Sequence, residues 1–234
     1  MKKVVVVTGA ARGIGRAIAI KLYNDGFRVA AFSRNSELLA SLQEEINDSE
    51  NLKIFSGDVT DTAFVNDSVK TIEKEWGGVE HLVNNAGLAI FKKFVDSTLD
   101  EFKQQMDVNM FGVYNVTKAV VNSMIARNSG SIFTVSSLAG KNGFVHGTMY
   151  AATKHAVMGF SRSLMLELRE HNIRVGTICP GSVDTDMIAN TPIEPKNIDK
   201  ILTGEDVADI ISTMIKLPPR AMVSEIEVRP TNPK

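Results

Sequence analysis

KKVVVVTGAARGIG, residues 2–15, changes character at its midpoint. Two lysines lead four consecutive valines, an uninterrupted β-branched run that suits a short strand buried on both faces. The run breaks at TGAARGIG (8–15). Beyond it apolar residues recur at Ile14, Ala17, Ile18 and Leu22, a helical period that stops at Asp25-Gly26 with glycine just past the helix end. Gly9, Gly13 and Gly15 are spaced G-x-x-x-G-x-G, which is not the G-x-G-x-x-G dinucleotide fingerprint. The physics is shared all the same: glycine backbone lets a pyrophosphate approach while the helix N-terminus offers unpaired N–H groups and partial positive charge. A tight turn with no ligand explains the same three glycines, so the rest of the chain must decide.

The alternation continues. Residues 28–32 read as extended, 37–46 as helix, 52–55 as extended, 62–75 as helix and 81–83 as extended. Thr98-x-x-Glu101 has the form of a capping box opening a helix that runs to about residue 126. Then 131–135 is strand-like, 149–170 helical, and 173–178 a strand ending at Cys179-Pro180-Gly181. Thr203-x-x-Asp206 caps a helix through Ile215, and 225–228 is a last short strand. Strands alternating with helices require right-handed crossovers, hence a doubly wound α/β domain whose parallel sheet is covered on both faces. TGAARGIG, NNAG (84–87), the serines after 135 and Pro180-Gly181 all begin where a strand stops. That places them on one edge of the sheet, the edge where such sheets bind ligands.

The 234 residues carry a formal charge of -1, so no global field draws nucleic acid or an anionic membrane. No linker, repeat or low-complexity run divides the chain, and residues 1–234 read as a single domain. One cysteine, Cys179, excludes an internal disulfide and reads as a small buried hydrophobe; a reducing, cytoplasmic setting fits. Met1-Lys2-Lys3 is basic, but the apolar run at 4–7 is too short for a signal-peptide core, and no run is long enough to span a bilayer. The His, Asp and Glu residues show no metal-ligand spacing, and a lone His146 reads as part of a site wall or loop.

Phe32-Ser33-Arg34 ends the second strand, where a dinucleotide-binding domain meets the adenosine ribose. An acidic residue there would repel a 2′-phosphate; Ser33 and Arg34 instead offer a hydroxyl and a cation, with Arg12 in the glycine turn as a second cation. The pattern favours NADP(H), although either arginine alone could be a solvated surface residue or stack on adenine. In YAATK (150–154) a tyrosine and a lysine share one helical face. Spacing alone leaves open a solvated pair and a lysine that sets the acidity of the phenol.

Taken together, TGAARGIG, Asp58-Val59, NNAG, Asn109 in DVNMFG, Ser137, YAATK and PGSVDT (180–185) resemble the short-chain dehydrogenase/reductase family, in the family's order and over nearly the whole chain. The expected fold is Rossmann-like, about seven strands in the order 3-2-1-4-5-6-7. The resemblance implies that Gly9, Gly13, Ile14 and Gly15 border the pyrophosphate and adjoining ribose, that Asp58 and Val59 sit at adenine, and that Asn85, Ala86 and Gly87 line the ribose side. It implies a catalytic set of Asn109, Ser137, Tyr150 and Lys154, with Tyr150 and Lys154 also touching the cofactor. Pro180, Gly181, Val183 and Thr185 would meet the nicotinamide half. A phenol titrates near pKa ~10 unaided, so the ammonium and the oxidised ring are expected to lower it toward the working range. Asn109, kinked out of regular helix bonding, would hold a water linking Lys154 to solvent.

The implied reaction interconverts a carbonyl and an alcohol, with a small ketone, aldehyde or hydroxy acid as substrate. Phe91, Phe144, Val145 and Met187 are candidates for an apolar wall. An acyl-carrier reductase is disfavoured by the RPTNPK ending, and the nearest rival is an NAD(H)-linked sugar or polyol dehydrogenase of the same fold. A non-catalytic dinucleotide sensor would keep the phosphate turn and lose a catalytic group, whereas this chain keeps both. Two long helices carry more apolar positions than one sheet face needs; the resemblance, in whose members such helices pair between subunits, implies a homodimer or homotetramer, the alternative being burial under the monomer's own loops.

Overall fold

The structure, a computed structural model, describes residues 2–232. Met1 and the last two residues of RPTNPK, Pro233 and Lys234, lie outside them. Strands β1 (Val4–Thr8), β2 (Arg28–Ser33), β3 (Leu52–Ser56), β4 (His81–Asn84), β5 (Gly130–Val135), β6 (Ile173–Pro180) and β7 (Glu225–Val228) form one parallel sheet in the order β3-β2-β1-β4-β5-β6-β7. The intervening helices are α1 (Gly13–Asn24), α2 (Ser36–Ile46), α3 (Thr62–Trp76), α4 (Leu99–Met106), α5 (Gly112–Ala126), α6 (Thr148–Leu168) and α7 (Gly204–Lys216).

The valine run shows why both faces are covered. Val5 and Val7 pack with Ile18, Leu39 and Ile211 of α1, α2 and α7, whereas Val4 and Val6 pack with Val69, Val120 and Leu168 of α3, α5 and α6. All four valines are fully buried, each stabilising the fold by roughly 1.5–3 kcal/mol relative to exposure. Strand order reverses on either side of β1, which opens a crevice at the carboxyl ends of β1 and β4.

The long helix expected to run to residue 126 is interrupted. After α4, Asp107–Phe111 form a π turn before α5 resumes, which takes Asn109 out of the i→i−4 ladder. The capping box at Thr98 is present: Thr98 Oγ1 accepts from Glu101 N and Glu101 Oε2 accepts from Thr98 N. Among the described residues no helix is long and apolar enough to cross a membrane. Cys179 is buried, its thiol 3.6 Å from Met158 Sδ.

His81, at the start of β4, is a titratable group inside this core. It is 5 % exposed, its Nδ1 lies 2.7 Å from Ser131 Oγ, and its ring meets Phe27 edge-on with centroids 5.5 Å apart. Burial first, then the charges of Lys3 and Arg174, push its pKa down from 6.5 to about 3. Below the unfolded value the unfolded chain binds a proton that the folded chain refuses. The stability from a neutral His81 is therefore complete above pH ~6.5 and is lost as pH falls toward ~3. Lowering the pH from 7.5 to 5.5 should cost roughly 1 kcal/mol in urea unfolding through this group, and His81→Leu should flatten that part of the slope. An unchanged slope in the variant would refute the assignment.

Candidate active site

The glycine turn lets backbone pack directly against its neighbours. Gly9 has φ 67, and a Cβ there would lie 2.9 Å from Ala86 Cα; a Cβ on Gly15 would lie 2.1 Å from the Gly9 carbonyl oxygen. Thr8 fastens this turn to the segment after β4: its Oγ1 accepts from Asn85 N at 2.9 Å and Ala86 N at 3.0 Å, and Asn85 Nδ2 donates to Thr8 O at 3.0 Å. Helix α1 then begins from an extended Arg12 (φ -151) that makes no side-chain cap, with no acidic residue in the first turn. Its first N–H groups and partial positive charge are left for an anion.

These elements border a cleft of about 670 Å³. Gly9, Arg12, Gly13, Ile14 and Gly15 line it from the turn, Ser33 and Arg34 from the end of β2, Asp58 and Val59 from the end of β3, and Asn85, Ala86 and Gly87 from the end of β4. Tyr150, Lys154 and Thr185 line it as well. The cleft also takes in Val108, Ser136 and Asp184 from motifs already noted, and Leu38, Gly57 and Asp186, which no sequence motif singles out.

Both arginines carry carboxylate partners. Arg34 Nη1 lies 3.5 Å from Asp58 Oδ2, and Arg12 Nη1 lies 3.1 Å from Asp186 Oδ2, with both arginine side chains more than half exposed. Exposed pairs of this kind stabilise by about 1 kcal/mol or less, so a phosphate dianion can compete for either cation. Neither pairing is visible in the sequence, because each crosses between separate sheet-edge loops.

The remaining polar residues converge at the other end. Tyr150 is 7 % exposed and Lys154 6 %. Lys154 Nζ donates to Val135 O at 3.0 Å and stands 5.7 Å from the centre of the Tyr150 ring. Ser137 caps a short 3₁₀ turn, its Oγ accepting from Ala139 N at 3.1 Å, and its hydroxyl favours the ionised form of the Tyr150 phenol. Asn109, 1 % exposed, donates from Nδ2 to Leu88 O at 2.8 Å and Thr153 Oγ1 at 2.9 Å, and accepts from Leu88 N at 2.7 Å. A Cβ on Gly87 would lie 3.4 Å from Asn109 Oδ1 and 3.9 Å from Lys154 Nζ, so the missing side chain leaves open the space between them.

The titration of the pair differs from the expectation. Burial pushes the Tyr150 phenol up to about 12, opposed by the Ser137 hydrogen bond, and burial pulls Lys154 down to about 8. Desolvation outweighs the ammonium here because Nζ is directed at the Val135 carbonyl rather than at the phenolic oxygen. The resting tyrosine is a firmly protonated acid.

Of the PGSVDT residues, Asp184 and Thr185 reach the cleft. Val183 is 5 % exposed within the core and bridges to Leu202, while Pro180 ends β6 and the Gly181 amide donates to Val228 O at 2.8 Å. The apolar candidates divide similarly. Met187 lines the cleft, Phe91 meets Tyr150 edge-on at 5.4 Å and Phe144 at 6.0 Å, and Val145 is 78 % exposed. His146 is half-buried at φ 70, and its carbonyl accepts from Lys92 N at 3.0 Å.

Known proteins share this arrangement of chain. The profile described as short chain dehydrogenase matches residues 3–196. An uncharacterized oxidoreductase of Staphylococcus aureus (strain MW2) is 32% identical over 229 residues, covering 97% of both proteins. Among solved structures, the closed form of serine dehydrogenase complexed with NADP+ superposes with a TM-score of 0.90 at 31% identity, over 97% of this chain and 94% of that one. An alcohol dehydrogenase from the archaeon Thermococcus sibiricus complexed with 5-hydroxy-NADP gives 0.88 at 30% identity, over 99% and 97%. With the family's profile matched over most of its length and the fold shared throughout, the chain belongs to the short-chain dehydrogenase/reductase family of oxidoreductases.

Proposed function

We propose that the protein is an NADP(H)-dependent oxidoreductase that interconverts a carbonyl and an alcohol on a small ketone, aldehyde or hydroxy acid. One observation carries this reading: a buried, protonated tyrosine shares a single cleft with a buried lysine, a glycine turn and an uncapped helix N-terminus. The cradle fits a dinucleotide: Gly9 and Gly15, where a Cβ would strike Ala86 or the Gly9 carbonyl, let the turn pack closely on its neighbours, and the uncapped start of α1 borders the cleft. Arg34 and Arg12 favour the 2′-phosphate, and solved relatives hold NADP or its 5-hydroxy derivative.

When bound, the nicotinamide supplies or accepts hydride, and its oxidised ring is positively charged. The rest falls to this chain. Tyr150 gives its proton to the carbonyl oxygen in reduction and recovers one from the alcohol in oxidation. Ser137 donates a hydrogen bond to the same oxygen and fixes its position. Lys154, with a pKa of about 8, is mainly an ammonium at neutral pH; it holds the nicotinamide-side ribose and biases Tyr150 toward phenolate as charge builds. Asn109 fixes the segment after β4 and, through the π turn, serves the proton route from Lys154 to solvent. Thr185 contacts the nicotinamide half, with Pro180, Gly181 and Val183 holding its loop in place.

The test is a panel of aldehydes, ketones and hydroxy acids with NADPH and NADH, followed at the nicotinamide absorbance band. Faster turnover with NADPH is expected, and Arg34→Asp should move the NADPH/NADH ratio of kcat/KM toward NADH by roughly 10- to 100-fold, the worth of a charge-assisted contact. Equal or better use of NADH by the parent enzyme would overturn the cofactor assignment.

We also place a homodimer or homotetramer contact on the π turn, α5 and α6, where Phe111, Tyr114 and Leu166 stand 52 %, 48 % and 59 % exposed. Light scattering reads this directly, and a monomer would refute it. A single free, buried thiol suits the reducing cytoplasm.

A further inference from the structure

The segment that follows β4 carries Gly87 on its cleft side and Phe91 against Tyr150, yet it has no regular secondary structure. It is held instead by a row of side chains on the helix opposite. Leu88 is bonded through both its N–H and its carbonyl to Asn109; Ile90 N donates to Gln105 Oε1 at 3.1 Å; Lys92 Nζ donates to Glu101 Oε1 at 2.6 Å. The helix positions 109, 105 and 101 step by four while the segment positions 88, 90 and 92 step by two. Four residues of helix rise about 6 Å and two residues of extended chain about 6.6 Å, so the rows stay in register over all three rungs. Between the rungs, Ala89 and Phe91 face the other way and pack on Tyr150, Ala139 and Ala151.

The middle rung is the unusual one. Gln105 is 0 % exposed, and only its oxygen can accept from Ile90 N–H, so its orientation is fixed. Its Nε2 is then buried with no acceptor among the described residues. Packing alone would be served better by an apolar side chain of the same volume, which would not bury an orphan amide donor. What an apolar residue cannot supply is the acceptor for Ile90.

We propose that Gln105 is a positioning residue for the substrate side of the site: its amide oxygen sets the height of Ile90, and thereby the placement of Phe91 against Tyr150. Phe91 is then the wall on which a substrate's carbonyl substituent rests while Tyr150 reaches its oxygen. This rests on the proposed function, in which Tyr150 is the proton donor.

Gln105→Met keeps the volume and removes the acceptor; Gln105→Glu keeps the acceptor. With 2,3-butanedione, benzaldehyde and L-serine as probes, kcat/KM for the best of them should fall roughly tenfold or more in the methionine variant, with the larger part in the carbonyl or alcohol KM, and recover in the glutamate variant. The KM for NADPH and the melting temperature should stay near those of the parent. Unchanged kcat/KM in Gln105→Met, or equal loss in both variants, would overturn the inference. A parent enzyme inert toward every probe would count against the proposed function instead. The clamp is then tested without turnover, and equally if the variants fail to fold, by amide exchange in the parent protein. Leu88 and Ile90 should exchange more slowly than Ala89 and Phe91, and a fast Ile90 amide would refute the clamp.

Discussion

Tyr150→Phe is expected to lower kcat by roughly 10²- to 10⁴-fold, the range over which a positioned proton donor accelerates such a step, while NADPH binding stays close to that of the parent. The substitution removes one oxygen from a ring that is 7 % exposed and packed edge-on against Phe91, so the pocket keeps its shape and the loss reports proton transfer. Titration gives the effect a direction. With the phenol pushed up to about 12, the resting side chain is already in the form that carbonyl reduction consumes, and reduction should be nearly flat across neutral pH. Alcohol oxidation needs the phenolate, so its rate should rise with pH. A Tyr150→Phe enzyme that turned over at the parent's rate would show that the proton comes from elsewhere. A parent enzyme whose reduction rate fell as pH rose through neutrality would show that the phenol is not held protonated.

The fold is legible in the sequence because it rests on local periodicities. Four adjacent valines divide between two helical layers only in a parallel sheet covered on both sides, and each strand ends on a motif whose glycines or small polar residues mark the binding edge. Most of the cleft can be anticipated on the same grounds. What escapes depends on contacts between distant segments. Asp186 lies 174 residues from its partner Arg12, and nothing in either neighbourhood announces the pair. Gln105 stands in Lys103-Gln104-Gln105, a polar run that reads as a solvated helix face, and burial singles it out only once the segment after β4 is laid across α4. The acidity of Tyr150 escapes for a related reason. Spacing makes a neighbouring ammonium evident, but full desolvation of the phenol and the Val135 carbonyl that draws Nζ away belong to the assembled core.

Gly15→Ala should abolish tight NADPH binding, weakening it roughly 100-fold or more, and cost about 1–3 kcal/mol of stability as an overpacked site. The new methyl carbon would stand 2.1 Å from Gly9 O, 2.7 Å from Gly9 C and 2.5 Å from Asn85 Nδ2, so at least one of these must move. Gly9 cannot withdraw, because its neighbours are fixed on both sides: Ala10 N donates to Phe32 O at 3.0 Å, and Thr8 Oγ1 holds the Asn85 and Ala86 amides. Nor can α1 retreat freely, since Ile18, Ala19 and Leu22 are packed against Val207, Ala208 and Ile211 of α7. The strain therefore falls on the turn and the NNAG segment, the two surfaces that would close around a pyrophosphate. Gly143→Ala is the matched control: a Cβ there meets nothing within 4 Å, so its melting temperature and NADPH affinity should stay within about 0.5 kcal/mol of the parent. Fluorescence titration with NADPH and thermal melting of both variants separate the outcomes. If Gly15→Ala bound NADPH as tightly as Gly143→Ala, the close approach of helix and turn would not be what shapes the cradle.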